Sequence, residues 1–83
     1  MPEPLGIRVA MHRVRLQLSQ RELGQHVGLS TNAISMIETG QVEPRAKHLR
    51  QLADTLGVSA DYLLGRKDTW LDRLPTHAAL VDT

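Results

Sequence analysis

Apolar residues recur at helical spacing along most of the chain and nowhere at the strict alternation of a strand. Leu23 and Val27 share one face of a short helix predicted from Gln20 to Val27. Ala33, Ile34 and Ile37 make the matching face of a second helix, predicted from Thr31 to Thr39. Between them stands Gly28, a residue type that takes a left-handed turn without steric cost. Ser30 offers an N-cap oxygen to the second helix, and Gly40 follows its end. The outward positions Thr31, Asn32, Ser35 and Met36 are small, polar or soft, a surface better suited to reading base edges than to forming a core.

The flanking segments follow the same logic. Pro2 and Pro4 extend the first residues, so a first helix starts near Leu5. Leu5, Val9, His12 and Leu16 share one face of it, while Ile7, Met11 and Val14 lie roughly 180° away. A surface helix normally carries one apolar stripe, so the second requires a partner or a cover. A fourth helix is predicted from Ala46 to Leu56, with Leu49, Leu52, Ala53 and Leu56 facing inward and Gly57 as its stop. Ser59 caps a short fifth helix, Ala60 to Leu64, which Gly65 ends. Beyond the charged break Arg66–Asp68, a turn holding Trp70, Leu71 and Leu74 stops at Pro75, and Thr76 can cap a last turn from His77 to Val81. The expected fold is an all-α, five-helix bundle over residues 1–65, with a partly helical tail over 66–83.

Composition narrows the class. Eighty-three residues suit one small domain. Without cysteine, neither a disulfide framework nor thiolate zinc ligation is available. No segment is long and apolar enough to span a membrane, and the start MPEPLG lacks the layout of a secretory signal, so a cytoplasmic protein is expected. The net charge of +1 says little, but its distribution says more. Residues 1–50 hold seven basic against four acidic residues, and residues 51–83 three against five. A basic front of +3 and an acidic rear of −2 suit docking through one face, although an ordinary mixed surface is the competing reading.

The strongest motif is the spacing of the second and third helices. A recognition helix must project from a rigid partner so that its first residues reach the major groove. The turn needs a glycine and the crossing needs a small residue, and Gly28 and Gly24 occupy those places. A plain αα-hairpin within a bundle is the alternative. Further matches then fall into register: Leu18-Ser19-Gln20 with Glu22-Leu23, Val27-Gly28-Leu29-Ser30, and Ile34-Ser35-Met36-Ile37-Glu38 with Gly40 and Pro44. Leu52-Ala53, Leu56-Gly57-Val58-Ser59 and Asp61-Tyr62-Leu63-Leu64-Gly65 complete them. Over about three quarters of its length, Leu5 to Gly65, the chain resembles the lambda-repressor-like helix-turn-helix domain of Cro and the XRE-type regulators.

That resemblance implies a regulator of transcription, in the usual case a repressor, that binds a two-fold operator of double-stranded DNA as a homodimer. By position it implies Thr31, Asn32, Ser35 and Met36 as base readers. Asn32 suits paired hydrogen bonds to adenine, and Met36 suits a thymine methyl. Gln20 matches a phosphate-contacting position, supported by the free N–H groups of a helix N-terminus. Arg45 and Lys47 are expected on the backbone, with a solvated basic turn as the alternative. Arg13 is implied to pair with Glu38 as a structural lock. Gln17 and Gly24 depart from the family's usual glycine and alanine, and His12 stands where an aliphatic residue is preferred. A packed histidine is the expected reading of His12.

No catalytic constellation is legible. The four histidines lack metal-ligand spacing, no serine lies in a nucleophile elbow, and no glycine-rich phosphate loop occurs, so neither enzyme activity nor a metal or cofactor is expected. Two other functions compete with the regulator: an antitoxin that clasps a toxin partner, and an adaptor that keeps the fold without binding DNA. Ile7, Met11, Val14, Trp70, Leu71 and Leu74 are expected to form a tail contact, within one chain or exchanged across a dimer. A frayed tail over scattered apolar surface is the alternative.

Overall fold

The computed structural model describes residues 3–68, which contain five helices and no strand. They are α1 (Leu5–Arg15), α2 (Gln20–Val27), α3 (Thr31–Glu38), α4 (Ala46–Leu56) and α5 (Ala60–Leu63). Helices α2 and α3 pack on each other, α4 closes the far side of α2, and α1 crosses α3, α4 and α5. The shared core is Val9, Leu23, Val27, Ile34, Ile37, Leu52, Ala53, Leu56, Val58, Tyr62 and Leu63. Full burial of one such aliphatic side chain stabilises by about 1.5–3 kcal/mol, which lets helices of 4 to 11 residues persist when isolated helices that short would melt.

Local chemistry sets the boundaries. Ser19 and Glu22 form a reciprocal capping box at the start of α2: the Glu22 N–H donates to Ser19 Oγ (2.9 Å) and the Ser19 N–H to Glu22 Oε1 (2.8 Å). The Ser19 N–H first, and then the Ser19 hydroxyl, hold the Glu22 carboxyl below its usual pKa. Ser30 and Ser59 cap α3 and α5 by accepting from the N–H groups of Ala33 and Tyr62. Gln17 adopts φ 60°, the left-handed region, just after α1. Glycine would hold that conformation more cheaply, by about 1–2 kcal/mol.

One expectation for α1 needs correction. Leu16 does not join the core but is 47% exposed. The helix ends at Arg15, Leu16 is its C-cap, and the left-handed turn at Gln17 carries the chain away before the stripe can continue. Arg8, by contrast, is 2% exposed. Its Nη1 donates to the carbonyls of Tyr62 (2.6 Å) and Lys67 (2.9 Å), and its guanidinium lies 4.2 Å from the centroid of the Tyr62 ring. Its Nε makes an ion-pair contact with Glu3 at 3.4 Å without hydrogen-bond geometry.

His12 completes this cluster. Its Nε2 shares a 2.9 Å hydrogen bond with the Tyr62 hydroxyl, and the two rings meet edge to face at 5.3 Å. Burial first, then the positive charges of Arg15 and Arg8, lower its pKa from the ordinary 6.5. The unfolded chain therefore takes up this proton before the folded one does. Stability is intact above pH 6.5 and falls as the pH drops below it, until the buried ring protonates. Thermal melts between about pH 7 and 5 should show the midpoint falling on acidification, with a shallower fall in His12→Gln. Equal slopes in both proteins would show that His12 does not carry the effect.

Candidate nucleic-acid interface

The turn between α2 and α3 is three residues long, Gly28 to Ser30. Gly28 sits at φ 74°, ψ 30°, and the Leu29 N–H bonds back to the Gly24 carbonyl at 2.9 Å. A Cβ on Gly24 would run into the Leu29 carbonyl. The missing methyl at Gly24 thus allows the turn to fold tightly against α2, which explains the departure from alanine. At the other end of α3, a Cβ on Gly6 would meet the carbonyls of Ile37 and Glu38. The start of α1 is therefore seated directly on the last turn of α3.

With Ile34 and Ile37 buried, the opposite side of α3 faces outward. Thr31, Asn32, Ser35 and Met36 fall within about 140° of one another around the helix axis. Thr31 and Asn32 are exposed, while Ser35 and Met36 are half-buried. The Asn32 amide points along the helix to Met36, with Nδ2 3.5 Å from Sδ. Thr39 Oγ1 donates to the Ser35 carbonyl at 2.9 Å and accepts from Gln41 Nε2 at 2.9 Å. The last turn of α3 is thereby closed by its own neighbours.

Glu38 is held from two sides. Arg13 Nε donates to Oε2 at 2.6 Å, and Arg13 Nη2 donates to Oε1 at 3.1 Å. Gln20 Nε2 donates to the same Oε1 at 3.0 Å. The Glu38 side chain is 6% exposed and that of Arg13 is 16%. The Glu38 hydrogen bond is the main reason the Arg13 pKa is raised; burial opposes it and the Glu38 charge adds to it. Arg13 Nη1 also donates to the Leu18 carbonyl at 2.9 Å, tying the α1–α2 connection to the same guanidinium. One carboxylate thus links α1, α2 and α3. The role of Gln20 in this link lay outside the sequence reading, because nothing local relates residues 18 positions apart.

Arg45 is the N-cap residue of α4 without a side-chain cap bond, and Lys47 follows in the first turn; both are exposed. Ile7, Met11 and Val14 are exposed on α1, at 45%, 49% and 61%. Trp70, Leu71 and Leu74 lie outside the described residues. Among the described residues, no group of three His, Asp or Glu side chains could hold a metal ion. No helix there is long and apolar enough to cross a membrane.

Comparison with known proteins agrees with this architecture. Residues 9–63 match the family model described as helix-turn-helix. The chain is 40% identical over 60 residues to Repressor protein C2 of Salmonella phage P22, covering 72% of this chain and 28% of that protein. It is 34% identical over 59 residues to the SPbeta prophage-derived HTH-type transcriptional regulator YonR of Bacillus subtilis (strain 168), covering 71% of this chain and 55% of that one. The match therefore spans less than two thirds of either relative. Among solved structures, the crystal structure of the P22 c2 repressor with a synthetic operator superposes with a TM-score of 0.76 at 37% identity, covering 78% of this chain and 98% of that one. The solution structure of the DNA-binding domain of the P22 c2 repressor gives 0.75 at 35% identity, covering 83% and 91%. The chain thus belongs to the helix-turn-helix family and has the lambda-repressor-like fold.

Proposed function

We propose that this chain binds duplex DNA sequence-specifically through the outer face of α3 and represses transcription as a homodimer on a two-fold operator. The observation that carries the reading is the pairing of an outward face, Thr31 and Asn32 exposed with Ser35 and Met36 half-buried beside them, with a locked inner face. Readers must be held rigidly if they are to discriminate between bases. Two further observations support it. The P22 c2 repressor, which shares this fold, was solved in complex with an operator. Arg45 and Lys47 stand exposed at the start of α4, where phosphates can reach them.

In this reading Asn32 pairs with adenine and Met36 packs on a thymine methyl. Gln20, at the first position of α2, keeps one amide bond to Glu38 while the helix N-terminus faces a phosphate. The acceptor oxygen of the amide cannot bind an anion, so the Gln20 contact is made through N–H groups. Residues 1–65 carry the DNA-binding domain and residues 66–83 the tail. A dimer would place two copies of α3 in successive major grooves about 34 Å apart.

Two substitutions test the assignment on a set of duplexes that differ one base pair at a time. Asn32→Ala should lose discrimination at one position by about 1–3 kcal/mol and leave the other preferences in place. Lys47→Ala should weaken all duplexes alike and reduce the salt dependence by about one phosphate contact. An unchanged ranking of duplexes by Asn32→Ala would remove Asn32 from the reading set.

A further inference from the structure

Helix α1 presents two separate apolar surfaces. Leu5, Val9 and His12 enter the core, whereas Ile7, Met11 and Val14 are about half exposed among the described residues. At 100° per residue these three fall within about 60° of one another, so they form a continuous stripe. Arg8 marks the border between the two surfaces. Met11 and Ile7 lie about 60° and about 100° from it on one side, and His12 and Val9 about 40° and about 100° on the other.

Arg8 also fixes where the chain goes after α5. Its Nη1 holds the Tyr62 and Lys67 carbonyls at 2.6 and 2.9 Å, which ties Lys67 to the tip of a side chain whose residue borders the stripe. Residues 69–83 follow directly. They carry Trp70, Leu71, Leu74, Leu80 and Val81, with Asp72 and Asp82 against one basic residue, Arg73. The stripe is about 10 Å long from Ile7 to Val14, and Trp70, three residues beyond Lys67, has a reach of about 10 Å.

We propose that residues 69–83 of the same chain dock on the Ile7–Met11–Val14 stripe, with Trp70 as the leading apolar contact. The Arg8 tether starts the segment from a residue that borders the stripe, within reach of it. Intramolecular docking follows from the tether, because a segment fixed at the border of a surface meets it at far higher effective concentration than a second copy does.

Trp70 is the single tryptophan of the chain, so its fluorescence reads the contact directly. In the full chain, a blue-shifted emission protected from acrylamide is expected, unchanged on dilution. Met11→Lys and Val14→Ser, at positions 49% and 61% exposed, should shift the emission to the solvated indole value and raise quenching severalfold, while the helical circular dichroism persists. Two variants are used so that a folding defect in one leaves the other informative. Solvated emission in the unsubstituted chain, emission unchanged in both variants, or emission that depends on protein concentration would each overturn the proposal; the last would assign the stripe to a second copy.

Discussion

Glu38→Ala is expected to lower the free energy of unfolding by about 3–5 kcal/mol, which for a domain this small is a large part of its stability. The cost comes less from the lost attraction than from what remains. Arg13, with a side chain 16% exposed, would keep its charge and only the Leu18 carbonyl as partner, and the Gln20 amide would lose its acceptor. Replacing both members with apolar residues, as in Arg13→Met with Glu38→Leu, should recover much of the loss, since no unpaired charge is then left. Urea unfolding of the two single variants and the double variant measures the coupling directly. A loss below about 1 kcal/mol in Glu38→Ala would place the pair with ordinary solvated surface bridges.

Arg8→Ala should be nearly as costly, at about 3–4 kcal/mol. It strips a hydrogen bond from the buried Tyr62 carbonyl, removes a cation over the Tyr62 ring and leaves a cavity between α1 and α5. Arg8→Lys keeps the charge but not the planar guanidinium that lies against the Tyr62 ring, and its reach is shorter, so it should rescue less than half. The effect should concentrate in α5, whose four residues contribute little helix stability of their own. Native-state hydrogen exchange at Leu63, Leu64 and Gly65 should accelerate more than at Val27 or Ile34. Uniform acceleration across the domain would show that Arg8 supports the core as a whole and not α5 in particular.

These two arginines show what the sequence could and could not disclose. The helices were legible because their signals are local: Leu23 and Val27 four apart, Ser30 before α3, Gly57 after α4. The Ser19–Glu22 box has a local signature too, a serine three residues ahead of a glutamate, but the sequence reading took these residues only as part of the family resemblance. Arg8 was not legible. Its partners are carbonyls 54 and 59 residues away, and a backbone carbonyl leaves no mark in a sequence. Counting it with the basic front overstated the charge available for docking, since Arg8 and Arg13 are both engaged inside the fold.

The close approaches at Gly6 and Gly24 were half legible. Gly24 stood out as the small residue of a helix crossing, but the reason is the Leu29 carbonyl and not a neighbouring side chain. Gly6 gave no signal at all, because only the packing of α1 on the end of α3 makes its missing Cβ necessary. Leu16 was misplaced for the opposite reason. Periodicity assumed a helix that continues, and the left-handed Gln17 ends it one residue too early.

The central claim, that the outer face of α3 reads DNA, is tested most directly by selecting duplexes from a random pool with the full chain. Enrichment of one short sequence, repeated with two-fold symmetry at a centre spacing of about one helical turn, is the predicted result. The same selection with Asn32→Ala should keep the spacing and lose preference at the position Asn32 reads. A pool that stays random, at a salt concentration where Lys47 still promotes binding to duplex, would contradict the claim and leave the protein a non-specific binder.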